Sequence, residues 1–178
     1  RVEPSIEEVI AAIPAWEGHQ VRATPIVGGL TNRNFRVEVG GTPNFVRIPG
    51  AGTDLLAVDR GNELHNTRAA ARAGVGARVL HDLPAWDVMV LEWLDARTMS
   101  NAAFQAAGEP ARIAGALRRL HAGPRFRDDF DMVALSARYL DVIDERGIPV
   151  PDGYREHLGA VPRIDAALRA HPLPTVPC

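Results

Sequence analysis

The sequence predicts an α+β fold in which a small antiparallel sheet of five strands comes first and helices follow. Apolar and polar side chains alternate through residues 35–39 and 44–48, as on half-buried strands, and a Gly-Gly pair between them predicts a tight turn. Two further apolar runs, residues 78–83 and 88–92, flank a Pro-Ala-Trp-Asp turn and complete the sheet. Beyond residue 98 the apolar residues recur at helical spacing instead.

A Gly-rich segment precedes the first of these alternating strands. Residues 27–32 read Val-Gly-Gly-Leu-Thr-Asn. Glycine accepts a positive φ without penalty, so Gly28 and Gly29 allow backbone N–H groups to approach a ligand closely. Phosphate is the ligand that such a turn predicts.

The strand that follows the Gly-Gly turn carries an arginine among apolar residues. Strand parity places Phe45 and Arg47 on one face and Val46 and Ile48 on the other. All 20 basic residues of the chain are arginine, so a charge that holds phosphate must come from a guanidinium, which stays protonated and can bind two oxygens through its planar fork. The alternative is a strand arginine that only reaches solvent.

A helix is predicted next, from Thr53-Asp54 as a possible N-terminal cap to about Ala73, with Gly74 as its C-terminal stop. Gly61 weakens its middle and favours a start nearer Asp59. Glu63 lies within this helix and can orient Arg47 through an ion pair. The alternative is a solvated helix carboxylate.

The last strand of the sheet runs into a polar connector. The C=O of Glu92 and the N–H of Leu94 are candidates for contacts with the edge of an adenine ring, because exposed backbone groups are needed there. An edge strand that simply ends on an aromatic residue is the alternative.

These segments together resemble the choline/ethanolamine kinase branch of the aminoglycoside phosphotransferase superfamily, which has a protein-kinase-like fold. The resemblance rests on residues 28–35 and 46–53 and continues through Glu63, residues 92–95 and residues 120–123. It implies ATP-dependent phosphoryl transfer to the hydroxyl of a small molecule, with Arg47 holding the phosphates, Glu63 pairing with it and Phe45 sharing its face. Residues that would cover the phosphates are Gly28, Gly29, Leu30, Thr31, Asn32 and Asn34, and Glu92 and Leu94 would meet adenine.

The resemblance also predicts a domain organisation: a nucleotide-binding lobe over residues 1–92, a hinge connector over 93–97, and the beginning of a helical lobe over 98–178. The family's catalytic His-x-Asp-x4-Asn loop and its acidic magnesium-binding motif do not occur in these residues. We therefore expect a fragment in which ATP can dock but not react, with the magnesium ligands downstream. A noncatalytic nucleotide-binding or regulatory module, or a hairpin that binds no nucleotide, are the alternatives.

The helical region offers no further catalytic motif. Asp129-Phe130-Asp131 resembles a magnesium-binding motif but precedes a predicted helix over 132–146, so it is interpreted as a helix entry. Other helices are predicted after Pro110 and over residues 154–170. The first of these carries an apolar stripe, Ile113, Leu117 and Leu120, that we expect to be partly uncovered and to favour self-association or association with a missing C-terminal part.

Composition limits the remaining functions. A net charge of −2 argues against nucleic-acid binding, and the six histidines lack metal-like spacing, so no metal site is assigned. One cysteine, Cys178, excludes an internal disulfide framework, and neither an 18-residue apolar run nor a signal peptide occurs. We therefore expect a cytoplasmic protein without membrane contact.

Overall fold

The computed structural model describes residues 3–28, 31–50 and 58–177 as two compact units. The first extends to Arg127 and the second spans Asp128–Val176. No helix of the described residues is long and apolar enough to cross a membrane.

The first unit contains the predicted five-stranded antiparallel sheet, in the order β1-β2-β3-β5-β4. Its strands are β1 (Val21–Ile26), β2 (Asn32–Val39), β3 (Thr42–Pro49), β4 (Val79–Leu83) and β5 (Val88–Glu92). Gly40 and Gly41 form the β2–β3 turn with φ values of 55° and 86°, which explains why both positions are glycine. The buried Asn44 supports this hairpin by donating to the carbonyls of Thr42 and Val37 at 3.1 and 3.3 Å.

A helical layer that the sequence analysis did not anticipate covers one face of the sheet. It consists of α1 (Ile6–Ala11) and a 3-10 helix (Pro14–Trp16). Ser5 and Glu8 form a capping box at the start of α1, with contacts of 3.1 and 2.7 Å. The core contains four buried side chains from this layer and five from the sheet: Ile6, Val9, Ile13 and Trp16, with Val37, Val46, Ile48, Val88 and Val90.

Helix α2 (Arg60–Arg72) follows β3 and begins at the later of the two predicted starts. Its N-cap is Asp59, whose carboxylate accepts from the N–H of Asn62 at 2.8 Å. The alternative cap at Thr53-Asp54 lies outside the described residues. Gly61 falls in the first turn rather than in the helix middle, and a Cβ there would lie 2.7 Å from Nη1 of Arg127. The missing side chain therefore lets Arg127 approach the helix start.

The first unit ends with α3 (Asn101–Phe104) and α4 (Glu109–His121). Pro110 lies in the first turn of α4, as predicted. No residue of α4 is buried, and Leu117 of its apolar stripe is 47% exposed. The expectation that this stripe is partly uncovered is therefore confirmed, whereas self-association stays a prediction.

The second unit contains α5 (Met132–Arg146), a 3-10 helix (Tyr154–Ala160) and α6 (Val161–Ala170). Asp131 caps α5 and accepts from the N–H of Ala134 at 2.9 Å, so the interpretation of residues 129–131 as a helix entry is confirmed. The single helix predicted over 154–170 is wrong. Pro162 cannot donate a backbone hydrogen bond inside a helix, so a new helix begins at Val161 with this proline in its first turn.

Candidate functional site

The candidate site lies on the face of the sheet opposite the N-terminal helical layer. On β3, Val46 and Ile48 are fully buried in the core, whereas Phe45 and Arg47 point to the other face and are half-buried. Directly opposite them on the neighbouring strands are Arg36 and Asn34 of β2, with Leu91 and Met89 of β5. Opposed residues share a face, so these six side chains form one surface.

Arg47 and Glu63 form the ion pair that the sequence predicted. Nη1 of Arg47 lies 2.8 Å from Oε1 of Glu63, and the two side chains are 29% and 21% exposed. The guanidinium also lies 5.9 Å from the centre of the Phe45 ring, within the range of a cation–π contact. The nearby carboxylate and ring hold Arg47 over the sheet rather than in bulk solvent.

A second arginine, which the sequence analysis missed, completes this cluster. Nη1 of Arg60 lies 2.7 Å from Oε2 of Glu63 and 3.0 Å from Oδ1 of Asn32. The i,i+3 spacing of Arg60 and Glu63 was a readable signal, but it depends on knowing that α2 begins at Arg60. Glu63 therefore lies between two guanidinium groups, and the three side chains together carry a surplus of one positive charge.

Asn34 adds an unsatisfied polar group to the same face. Its Oδ1 atom is buried and has no hydrogen-bond partner within the described part of the chain. Leaving such a group unpaired costs about 1 to 3 kcal/mol. Groups of this kind occur at sites that a ligand or water completes. A carboxamide beside Arg47 can contact a polar ligand that the guanidinium attracts.

The Gly-rich segment is described at both ends. Gly28 has φ 113°, a conformation that favours glycine, and Gly29 and Leu30 lie outside the described residues. On its other side, the carbonyl of Thr31 accepts from the N–H of Gly50 at 3.0 Å, and the Thr31 hydroxyl accepts from Asn32 at 3.0 Å. The segment thus enters β2 beside the Arg60 contact.

The connector after β5 keeps Glu92 and Leu94 at the end of the sheet. Arg78 donates to the Glu92 carboxylate from its side chain at 2.6 Å and from its backbone at 2.9 Å, which holds the pKa of Glu92 below its usual value. The N–H of Leu94 has no hydrogen-bond partner among the residues described. Between them, the Trp93 ring lies 5.2 Å from the Arg36 guanidinium. The connector is thereby joined to the face that carries Phe45 and Arg47.

Metal-binding capacity was tested on the donor groups. Within residues 3–28, 31–50 and 58–177, no three His, Cys, Asp or Glu side chains are grouped so as to hold a metal ion. No magnesium ligand is assigned to them.

Comparison with known proteins agrees with the resemblance seen in the sequence. Residues 22–178 match the family described as the phosphotransferase enzyme family, APH. Curated protein sequences gave no match. Among solved structures, a choline/ethanolamine kinase family protein from Mesorhizobium loti is 38% identical with a TM-score of 0.73, over 95% of this chain and 54% of that one.

Two structures of the choline kinase LicA from Streptococcus pneumoniae have the same fold. One is 20% identical with a TM-score of 0.75, over 97% of this chain and 60% of that one. The other, in complex with AMP, is 21% identical with a TM-score of 0.77, over 99% and 60%. The chain thus spans between 54% and 60% of the length of these relatives. They confirm the predicted protein-kinase-like fold, and the family match over residues 22–178 shows that this chain belongs to the phosphotransferase enzyme family.

Proposed function

We propose that this chain binds ATP on the Arg47 face of its sheet and forms the nucleotide-binding part of a phosphotransferase. The acceptor is the hydroxyl of a small molecule, of the choline/ethanolamine or aminoglycoside type. The observation that carries the proposal is the Arg47–Glu63–Arg60 cluster, because it fixes surplus positive charge beside the Gly-rich segment in a member of this family. ATP is polyanionic and has an aromatic base, and this face offers groups for both.

Each part of the nucleotide has a group suited to it. Arg47 binds Glu63 through Nη1 alone, and its Nε and Nη2 have no partner among the residues described, so they can donate to phosphate oxygens. Phe45 and the opposing Leu91 provide an apolar surface for adenine, and the N–H of Leu94 provides a donor for its edge. The phosphates would also contact the Gly-rich segment, in which Gly29 and Leu30 are proposed from the sequence alone.

ATP bound in this way lacks two further requirements of phosphoryl transfer. The reaction needs a residue that positions the nucleophile and ligands that hold magnesium against the phosphates. The 178 residues contain no His-x-Asp-x4-Asn motif. We therefore propose that this chain alone binds ATP without transferring its phosphoryl group.

The binding proposal is tested by calorimetric titration of ATP into the purified chain and its Arg47→Ala variant. Loss of charge-assisted contacts to phosphate should weaken binding by about 1.5 to 3 kcal/mol. This corresponds to an increase in Kd of roughly 10- to 150-fold. Arg33→Ala is the matched control, because Arg33 is also a strand arginine in an ion pair, with Glu3, but lies on the opposite face. Equal affinity of all three proteins would refute the site.

The transfer proposal is tested by assaying ADP release and acceptor phosphorylation with choline, ethanolamine and aminoglycosides. We expect no turnover from the 178 residues, and robust phosphorylation by them would show that the catalytic groups have been misplaced. Absence of the motif also favours a second candidate, a noncatalytic nucleotide-binding module. A reading frame that continues into His-x-Asp-x4-Asn would support the enzyme, and a stop codon after Cys178 would support the module.

A further inference from the structure

We propose that Arg60 is a positioning residue that keeps Arg47 available for phosphate and connects helix α2 to the Gly-rich segment. The inference rests on the proposed ATP site and assigns a role to a residue outside the predicted nucleotide contacts. Of the three charged side chains in the cluster, Arg60 is the least exposed, at 13% compared with 21% for Glu63 and 29% for Arg47. It therefore lies behind the surface that a ligand would touch.

The contacts of Arg60 run in two directions from one nitrogen atom. Nη1 donates to Oε2 of Glu63 on α2 and to Oδ1 of Asn32 at the start of β2. Asn32 in turn donates to the Thr31 hydroxyl at 3.0 Å. A continuous hydrogen-bonded path therefore leads from the Glu63 carboxylate to the residue that ends the Gly-rich segment.

Arg60 also controls how Glu63 binds Arg47. A carboxylate facing a single arginine favours a bidentate pair, in which both oxygens bind two nitrogens of the planar fork. Here Arg60 occupies Oε2, and Arg47 binds only Oε1. Without Arg60, Oε2 would compete with phosphate for a second nitrogen of Arg47. The arrangement thus divides one carboxylate between two cations and leaves part of the Arg47 fork for the ligand.

The test measures binding of ATP and of adenosine, which lacks phosphates, to the wild-type chain and to Arg60→Gln. We expect ATP affinity to fall by about 10-fold, near the lower end for loss of a charge-assisted hydrogen bond. Adenosine affinity should stay unchanged, because the apolar surface of Phe45 and Leu91 is separate from Arg60. Arg60→Lys, which retains the charge, should recover most of the ATP affinity.

Arg68→Gln is the matched control, since Arg68 lies on the same helix in an ion pair with Asp82 at 3.6 Å. If Arg60→Gln does not fold by circular dichroism, Arg60→Met keeps an aliphatic stem at this mostly buried position and carries the same expectation. An ATP affinity lowered no more than in Arg68→Gln, or equal losses for ATP and adenosine, would overturn the positioning role. If Arg47→Ala also leaves ATP binding intact, the proposed function fails. If only the Arg60 variants bind normally, the inference alone fails.

Discussion

Replacing Glu63 with glutamine should destabilise the first unit more than the same change at an exposed ion pair. Glu63 accepts from Arg47 at 2.8 Å and from Arg60 at 2.7 Å, one contact on each carboxylate oxygen. Glutamine keeps one oxygen and replaces the other with an NH₂ donor. One of the two guanidinium groups therefore loses its acceptor and faces a second donor.

The magnitude follows from the number of contacts and from their burial. A hydrogen bond to a charged group contributes about 1.5 to 3 kcal/mol, and one such bond is lost. Because the three side chains are only 13% to 29% exposed, solvent replaces the lost contact poorly. We expect the free energy of unfolding to fall by about 2 to 3 kcal/mol.

Urea denaturation followed by tryptophan fluorescence measures this change in the relevant unit, because all three tryptophans precede Asp128. Glu109→Gln is the matched control. Glu109 also lies in the first turn of a 13-residue helix and pairs with an arginine three residues away, but that arginine is 62% exposed. The control should lose about 0.2 to 1 kcal/mol. Equal losses in the two variants would show that the Glu63 carboxylate is effectively solvated and would refute the reasoning.

Two other features give predictions with a defined sign. Gly41→Ala should cost about 1 to 2 kcal/mol by urea denaturation, because φ is 86° with no steric neighbour within 4 Å, whereas Gly115→Ala inside α4 should stabilise by roughly 0.5 to 1 kcal/mol; a neutral Gly41 variant would contradict the turn geometry. The pKa of Asp131 is lowered by the N–H of Ala134 and by Arg169, so its carboxylate stabilises the second unit above the ordinary aspartate pKa, and this contribution is lost as pH falls below that value. Melting followed by circular dichroism from neutral pH to about pH 3 should show a weaker pH dependence in Asp131→Asn, and identical profiles would contradict the assignment.

Strand parity and turn chemistry explain what could be predicted from the sequence. Alternation along residues 44–48 was sufficient to place Arg47 and Phe45 opposite Val46 and Ile48, because successive side chains of a strand always point to opposite faces. The β2–β3 turn was equally local, since two consecutive glycines suit its positive φ values. The pair between Arg47 and Glu63 is present as predicted, while the roles of these residues in nucleotide binding stay predictions.

The unpredicted features depend on nonlocal geometry or on exact helix boundaries. Arg60 enters the cluster only because α2 begins at Arg60, so that Arg60 and Glu63 lie one turn apart and Asn32 is within reach. The break at Val161 depends on where Pro162 falls relative to a helix start. Helix α1 is only six residues long, too short to be stable by its own propensity, and it forms because its apolar side chains pack on a sheet that comes later in the chain.

The packing of this N-terminal layer means that the family match and the folding unit do not coincide. The match begins at residue 22, but Val9, Ile13 and Trp16 precede that point and are buried with the sheet. Each such side chain contributes roughly 1.5 to 3 kcal/mol of burial. A protein trimmed to the matched residues would expose the strand face that they cover, next to the backbone that presents Arg47. Expression boundaries for this chain should therefore be chosen from the core, with residues 3–20 retained, rather than from the limits of sequence similarity.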